Sequence, residues 1–232
     1  MRTLDRLIGP LVVATAAALL GALGMIFFYA PVEQTMGIVQ KIFYSHVPAA
    51  LTMYACFITT SVASALYLMR PSRTYDLVAR SAAELGMIFC IYVLISGPLW
   101  AYKAWGKPWV WDPQLTATFV LFLLYGGYAL LRALSPDTHS IRQIGALLSI
   151  IAVVDIPIIH YAVKKWGGLH PVVERSGGGG LAPDARLTFL VCLGAFFLLF
   201  LTLMALSVRA RLTRQRVDAL QLDLADATHG MS

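Results

Sequence analysis

Apolar runs long enough to cross a bilayer dominate this chain of 232 residues. A spanning helix needs about 20 apolar residues. Such runs fall at roughly 8–29, 47–69, 82–101, 115–134, 143–163 and 186–208. A lipid-exposed backbone must satisfy its own hydrogen bonds, so each run predicts a helix. The fold class is therefore all-α: a polytopic membrane protein, a bundle of about six transmembrane helices. Only 13% of residues are charged and 59% are hydrophobic, whereas a soluble domain is about a quarter charged. This predicts a single membrane domain over 1–208 and a basic tail over 209–232, with no sizeable soluble domain. The first run follows Arg2 and Arg6. It is too long for the apolar core of a signal peptide, which predicts a retained anchor.

Loop charges set the orientation. One set of ends carries Arg2 and Arg6, then Arg70, Arg73 and Arg80, then Arg132 and Arg142, then Arg209, Arg211, Arg214 and Arg216. The other carries Lys41, Lys103, Lys107, Lys164, Lys165, Arg175 and Arg186. The first set is the richer, and positive charge stays in the cytoplasm, so both termini are expected inside. The net charge of +6 is then a topology signal rather than a nucleic-acid footprint.

Several chemistries are disfavoured. Cys56, Cys90 and Cys192 each sit in an apolar run, and no C-x-x-C or C-x-x-C-H occurs. Thiol–disulfide exchange, a cysteine zinc site and covalent haem attachment are not expected. No phosphate-binding loop is present, because Gly177–Gly180 is followed by Leu181-Ala182-Pro183 where Lys-Ser/Thr is required. No nucleophile–base pair is evident either, and the chain is not expected to be an enzyme.

The segment Trp100–Thr116, expected outside, is different. It holds four of the five tryptophans, Trp100, Trp105, Trp109 and Trp111, together with Lys103, Lys107 and Asp112. A loop over about 102–114 is predicted between two spans. One or two tryptophans suffice for an interfacial anchor; four with cations and prolines suit a large, flat, apolar ligand. Three histidines fall toward the same face: His46 at the start of the second span, His160 near the end of the fifth, and His170 in the last outer loop. His139 and His229 lie on the other side and read as solvated. A macrocycle with two carboxylates and a central iron would use such a set. Indoles could stack on its faces, neutral imidazoles could ligate its iron and lysines could pair with its carboxylates. The same residues also read as an anchor belt with hydrogen-bonded interfacial histidines, and the residues alone leave both readings open.

The motifs resemble those of the CcmC branch of haem-handling proteins of cytochrome c maturation. That family carries a tryptophan-rich motif, WGxxWxWD, which here reads Trp105-Gly106-Lys107-Pro108-Trp109-Val110-Trp111-Asp112. Gly97-Pro98-Leu99-Trp100 precedes it. Tyr44-Ser45-His46-Val47-Pro48-Ala49 matches an upstream histidine motif, and Asp155-Ile156-Pro157-Ile158, Trp166 and Leu169-His170-Pro171 match the downstream ones. The resemblance runs through all six spans in order. Pro108, Pro113-Gln114 and Lys165-Trp166-Gly167 depart from the family pattern, and Gln114 removes an arginine that could face a haem propionate or Asp112.

The resemblance implies haem b bound at the periplasmic face of a bacterial inner membrane. His46 and His170 would be its axial iron ligands. Trp100, Trp105, Trp109, Trp111, Asp112, Lys103 and Lys107 would form the rest of the site. It also implies transfer of haem to a periplasmic haem chaperone of the CcmE kind. The implied partners are ABC-type membrane and ATPase subunits and a small membrane protein. Two other readings are a bis-histidine membrane cytochrome and a small-solute permease running past Asp155 and Glu84. For those two carboxylates the expectations are structural: Glu84 snorkelling to the inner surface or pairing with Arg80 at i, i+4, and Asp155 capping a kink at Pro157 or bonding His160.

Overall fold

The computed structural model describes residues 2–169 and 181–229. Its helices are α1 (Arg2–Gly24), α2 (Phe43–Met69), α3 (Arg73–Trp105), α4 (Pro113–Leu134), α5 (His139–Ala152), α6 (Asp155–Trp166) and α7 (Pro183–His229). A π-helical turn, Met25–Tyr29, extends α1, and a 3₁₀ turn, Ile38–Ile42, leads into α2. Six helical segments are long and apolar enough to cross a membrane, with α5 and α6 together making the fifth. The chain is a multi-pass helical membrane protein.

Local chemistry explains the helix ends. Ser72 opens α3 by accepting the Thr74 N–H at 3.3 Å, and Thr138 opens α5 by accepting that of Ile141 at 3.3 Å. α3 ends at Gly106, whose φ of 69° is left-handed and whose N–H returns to the Tyr102 carbonyl at 3.0 Å. The break between α5 and α6 follows from Pro157. Proline has no N–H to give the Val153 carbonyl, which instead accepts the Ile156 N–H at 3.1 Å. The kink expected at Pro157 is thus a full interruption at Val153–Val154. Asp155 makes no hydrogen bond to His160, and its Oδ2 is buried with no partner.

The spans alternate in direction, so every second junction lies at the same end. α2 is the central helix, packing on α3, α5 and α7, whereas α1 packs chiefly on α7. Half of the apolar window of α2 is buried, against 17% for the first span. The core between α2, α3 and α4 includes Met53, Cys56, Phe57, Phe89, Leu121 and Tyr125. Phe57 and Tyr125 stack at 3.7 Å. Gly86 makes room for them, since a Cβ there would lie 2.5 Å from Phe57 Cε1. Buried hydroxyls join α2 to α5: Ser61 donates to the Ser149 carbonyl at 2.8 Å, and Ser149 Oγ donates to Ser64 Oγ at 2.8 Å. Membrane helices gain no hydrophobic drive from lipid, so small residues and such bonds hold them together.

α7 is one uninterrupted helix. Its 47 residues extend about 70 Å at 1.5 Å per residue, well beyond a hydrocarbon core of about 30 Å. The tail from 209 onward therefore continues the last span. Val217, Leu220, Leu222 and Leu224 are exposed on it.

Candidate functional site at the tryptophan end

The tryptophan segment is more helical than its composition predicts. α3 carries Trp100, Lys103 and Trp105, so the non-helical part shrinks to Gly106–Asp112. Trp100 and Trp105 meet edge to face, with ring centres 5.7 Å apart. Trp100 Nε1 donates to Gln40 Oε1 at 3.1 Å, tying α3 to the turn before α2.

Asp112 organises the return into α4. Its Oδ1 accepts the Leu115 N–H at 2.8 Å, its carbonyl accepts the Thr116 N–H at 3.0 Å, and Pro113 fills the first helical position. The aspartate is the cap of this helix. Its Oδ2 is buried without a partner, and so is Trp109 Nε1.

Trp109 and Trp111 lie edge to face at 5.5 Å, and both approach Phe119 on α4, at 6.2 and 6.4 Å. Trp111 is 73% exposed, although an indole of this size is normally well covered. Lys103 and Lys107 are exposed, and neither makes an ion pair with the described residues. The end thus shows an uncovered aromatic face, two exposed ammonium groups and two orphaned polar atoms.

His46 lies in the first turn of α2, half-buried. Its Nδ1 is 2.8 Å from Ser96 Oγ on α3, one turn before Trp100. Gly97 lies alongside, where a Cβ would come within 3.3 Å of His46 Cε1. Ser96 Oγ donates to the Tyr92 carbonyl at 2.7 Å, and the Tyr92 hydroxyl donates to Ser45 Oγ at 2.7 Å. His46 and the tryptophans are thus brought to one end of the bundle. His170 lies outside the described residues. His160 is exposed on α6, with its ring against Tyr161 at 5.0 Å.

Sequence reasoning overlooked Gln40, Tyr92, Ser96 and Phe119, and took Gly97 only as part of a motif. Tyr92, Ser96 and Trp100 follow one another at i, i+4, a spacing that aligns them on one face of a helix. That periodicity was the available signal.

The opposite end is built differently. Arg132, with a side chain only 3% exposed, bonds Asp76 at 2.9 Å and Asp137 at 3.4 Å through Nη2. Arg73 and Arg142 close on Asp137 at 2.7 and 3.0 Å. Glu84 pairs with Arg80 at 3.3 Å, as expected, and also with Arg211 of α7. His139, expected to be only solvated, is held by the Tyr67 hydroxyl at 2.8 Å.

The family model for CcmC, heme exporter protein C, matches residues 1–223. The heme exporter protein C of Paracoccus denitrificans is 34% identical over 224 residues, covering 95% of this chain and 92% of its own. That of Bradyrhizobium diazoefficiens is 35% identical over 213 residues, covering 90% and 81%. That of Rhodobacter capsulatus is 33% identical over 226 residues, covering 95% and 93%. A match along nearly the whole chain, on an all-helical fold with six candidate spans, establishes that this chain belongs to the CcmC family.

Proposed function

We propose that this protein binds haem at the tryptophan end and hands it to a periplasmic haem chaperone during cytochrome c maturation. Its site is the periplasmic face of a bacterial inner membrane, with both termini cytoplasmic. The arginine bias supports that orientation, because all the arginine-rich junctions share the end opposite the tryptophans. The names of the relatives, heme exporter proteins, support the cargo.

The observation that carries the reading is the pairing of His46 with the tryptophans at one end of the bundle. The imidazole is anchored one helical turn from Trp100, and Trp111 stands exposed at the same end. Haem b takes a neutral imidazole from His46 on one axial side. His170 supplies the second. Trp100, Trp105, Trp109 and Trp111 receive the macrocycle, and Lys103 and Lys107 meet the propionates. Asp112 holds the loop in place as the cap of α4. The protein acts as a carrier and not as an enzyme. ATP hydrolysis belongs to ABC-type subunits, working with a small membrane partner.

The test is the absorption spectrum and haem content of the purified full chain. His46→Ala or His170→Ala should lower bound haem or shift the Soret band at equal protein levels, while His139→Ala should leave both unchanged. Unaltered haem and spectra in both ligand variants would overturn the site. Reversible redox cycling without transfer to the chaperone would favour an electron-carrying cytochrome instead.

A further inference from the structure

The chain of hydrogen bonds behind His46 has a chemical consequence. A serine hydroxyl has a single hydrogen. Ser96 Oγ lies 2.7 Å from the Tyr92 carbonyl, four residues earlier on the same helix. A carbonyl can only accept, so this bond uses the hydroxyl hydrogen. The Ser96 oxygen then has only lone pairs to offer His46 Nδ1 at 2.8 Å. A neutral imidazole meets a lone pair only by donating, so Nδ1 carries the proton. The remaining nitrogen, Nε2, is then the one with a lone pair for iron. Which ring nitrogen ligates a metal is set by the bond the other one makes.

We infer that Ser96 is a positioning residue that locks His46 in the Nδ1–H tautomer and so presents Nε2 to the iron of haem. The inference rests on the haem reading above and adds to it a residue that touches no ligand. Three features converge on the ring. Ser96 fixes its tautomer. The Tyr92 carbonyl fixes the serine. Gly97 leaves space beside Cε1, which lies between the two nitrogens; a methyl group there would approach to 3.3 Å and displace the ring by a few tenths of an ångström. Tyr92 also grips the turn carrying His46 from the other side, through Ser45 Oγ, which itself donates to the Ile42 carbonyl at 3.1 Å.

Two measurements test the inference. The first uses the full chain without haem, labelled with ¹⁵N-histidine and held near pH 8, where a neutral imidazole prevails over a typical pKa of about 6.5. The His46 signals are those that vanish in His46→Gln. They should report a proton on Nδ1 in the wild type and in Ser96→Thr, and a mixture of tautomers in Ser96→Ala. A proton on Nε2 in the wild type, or an unchanged tautomer in Ser96→Ala, would overturn the inference whatever the fate of the haem reading.

The second measurement uses haem titration. Loss of an outer partner of a ligating histidine typically costs 10–100-fold in metal affinity. Ser96→Ala should therefore weaken haem binding by about 10-fold and shift the Soret band, with Ser96→Thr restoring both. Gly97→Ala keeps the serine and should change the spectrum by moving the ring. If His46→Ala loses haem while Ser96→Ala binds it with wild-type affinity and spectrum, the haem site stands and the tautomer lock falls. If His46→Ala also binds normally, both fall.

Discussion

The two ends of the bundle solve opposite problems. At the arginine-rich end every described carboxylate near the network faces a guanidinium: Asp76 and Asp137 share Arg73, Arg132 and Arg142, and Glu84 holds Arg80 and Arg211. Opposite charges meet inside the chain, and α3, α4, α5 and α7 are tied together by them. At the tryptophan end Lys103 and Lys107 make no ion pair with the described residues. Lys103 and Lys107 are exposed, Trp111 stands 73% exposed, and the buried Trp109 Nε1 and Asp112 Oδ2 have no partner. Buried polar groups are normally paired, and the exceptions call for an explanation. Arg132 Nε and Nη1 at the arginine end also lack a hydrogen-bond partner among the described residues, so the contrast lies between the paired carboxylates of one end and the exposed lysines and indole of the other.

The largest expected effect breaks the arginine end. Arg132→Ala removes one partner of a buried pair and leaves Asp76, only 8% exposed, with Arg73 at 3.8 Å and Arg142 at 4.0 Å. Removing one member of a buried ion pair costs about 3–5 kcal/mol; the two remaining arginines put this variant at the low end. Thermal unfolding in detergent should show a clear loss of stability, while the folded fraction still binds haem. Unchanged stability would mean that the network is not what ties this end together.

A smaller effect concerns pH. Burial alone would raise the Asp137 carboxyl, but hydrogen bonds and charge from Arg73 and Arg142 outweigh it and hold the pKa at about 2, below the ordinary 3.8. A lowered pKa contributes stability that is fully present above the unfolded value and is lost as pH falls through the folded one. The melting temperature should therefore fall between about pH 4 and pH 2, and Asp137→Asn should flatten that dependence while lowering stability at neutral pH. An identical pH profile in wild type and variant would show that this carboxylate is not held by its arginines.

The contrast between the ends was only half legible in the sequence. Hydropathy located all six spans, because in lipid the length of an apolar run is itself the structural signal. It misplaced their ends. The third span was expected from 82, but α3 starts at Arg73, where Ser72 supplies a cap rather than where polarity ends. It was expected to stop at 101, but the helix runs through Lys103 to Trp105, because only Gly106 terminates it. The tryptophans, His46 and Asp112 stood out as residue types that a span does not need. Ser96 did not, since a serine in an apolar run carries no mark of the histidine 50 positions earlier that it bonds. The Arg132–Asp76 pair was hidden likewise: Arg132 read only as a topology charge, and only packing brings it to Asp76 across 56 positions.

The most direct measurement of the central claim is haem retention, and haem loading of the chaperone, by a protein with Trp105, Trp109 and Trp111 all replaced by alanine. Expression must be matched, with thermal stability recorded alongside. Single Trp→Phe changes keep the π face and most of the apolar area; a stacked aromatic pair adds only about 0.5–1.5 kcal/mol beyond burial, so these should be mild. The triple variant should keep a folded bundle and an intact arginine network while losing most bound haem and most transfer. A folded triple-alanine protein that retains haem and loads the chaperone normally would contradict the account. The tryptophans would then be membrane anchors, whatever His46 and His170 ligate.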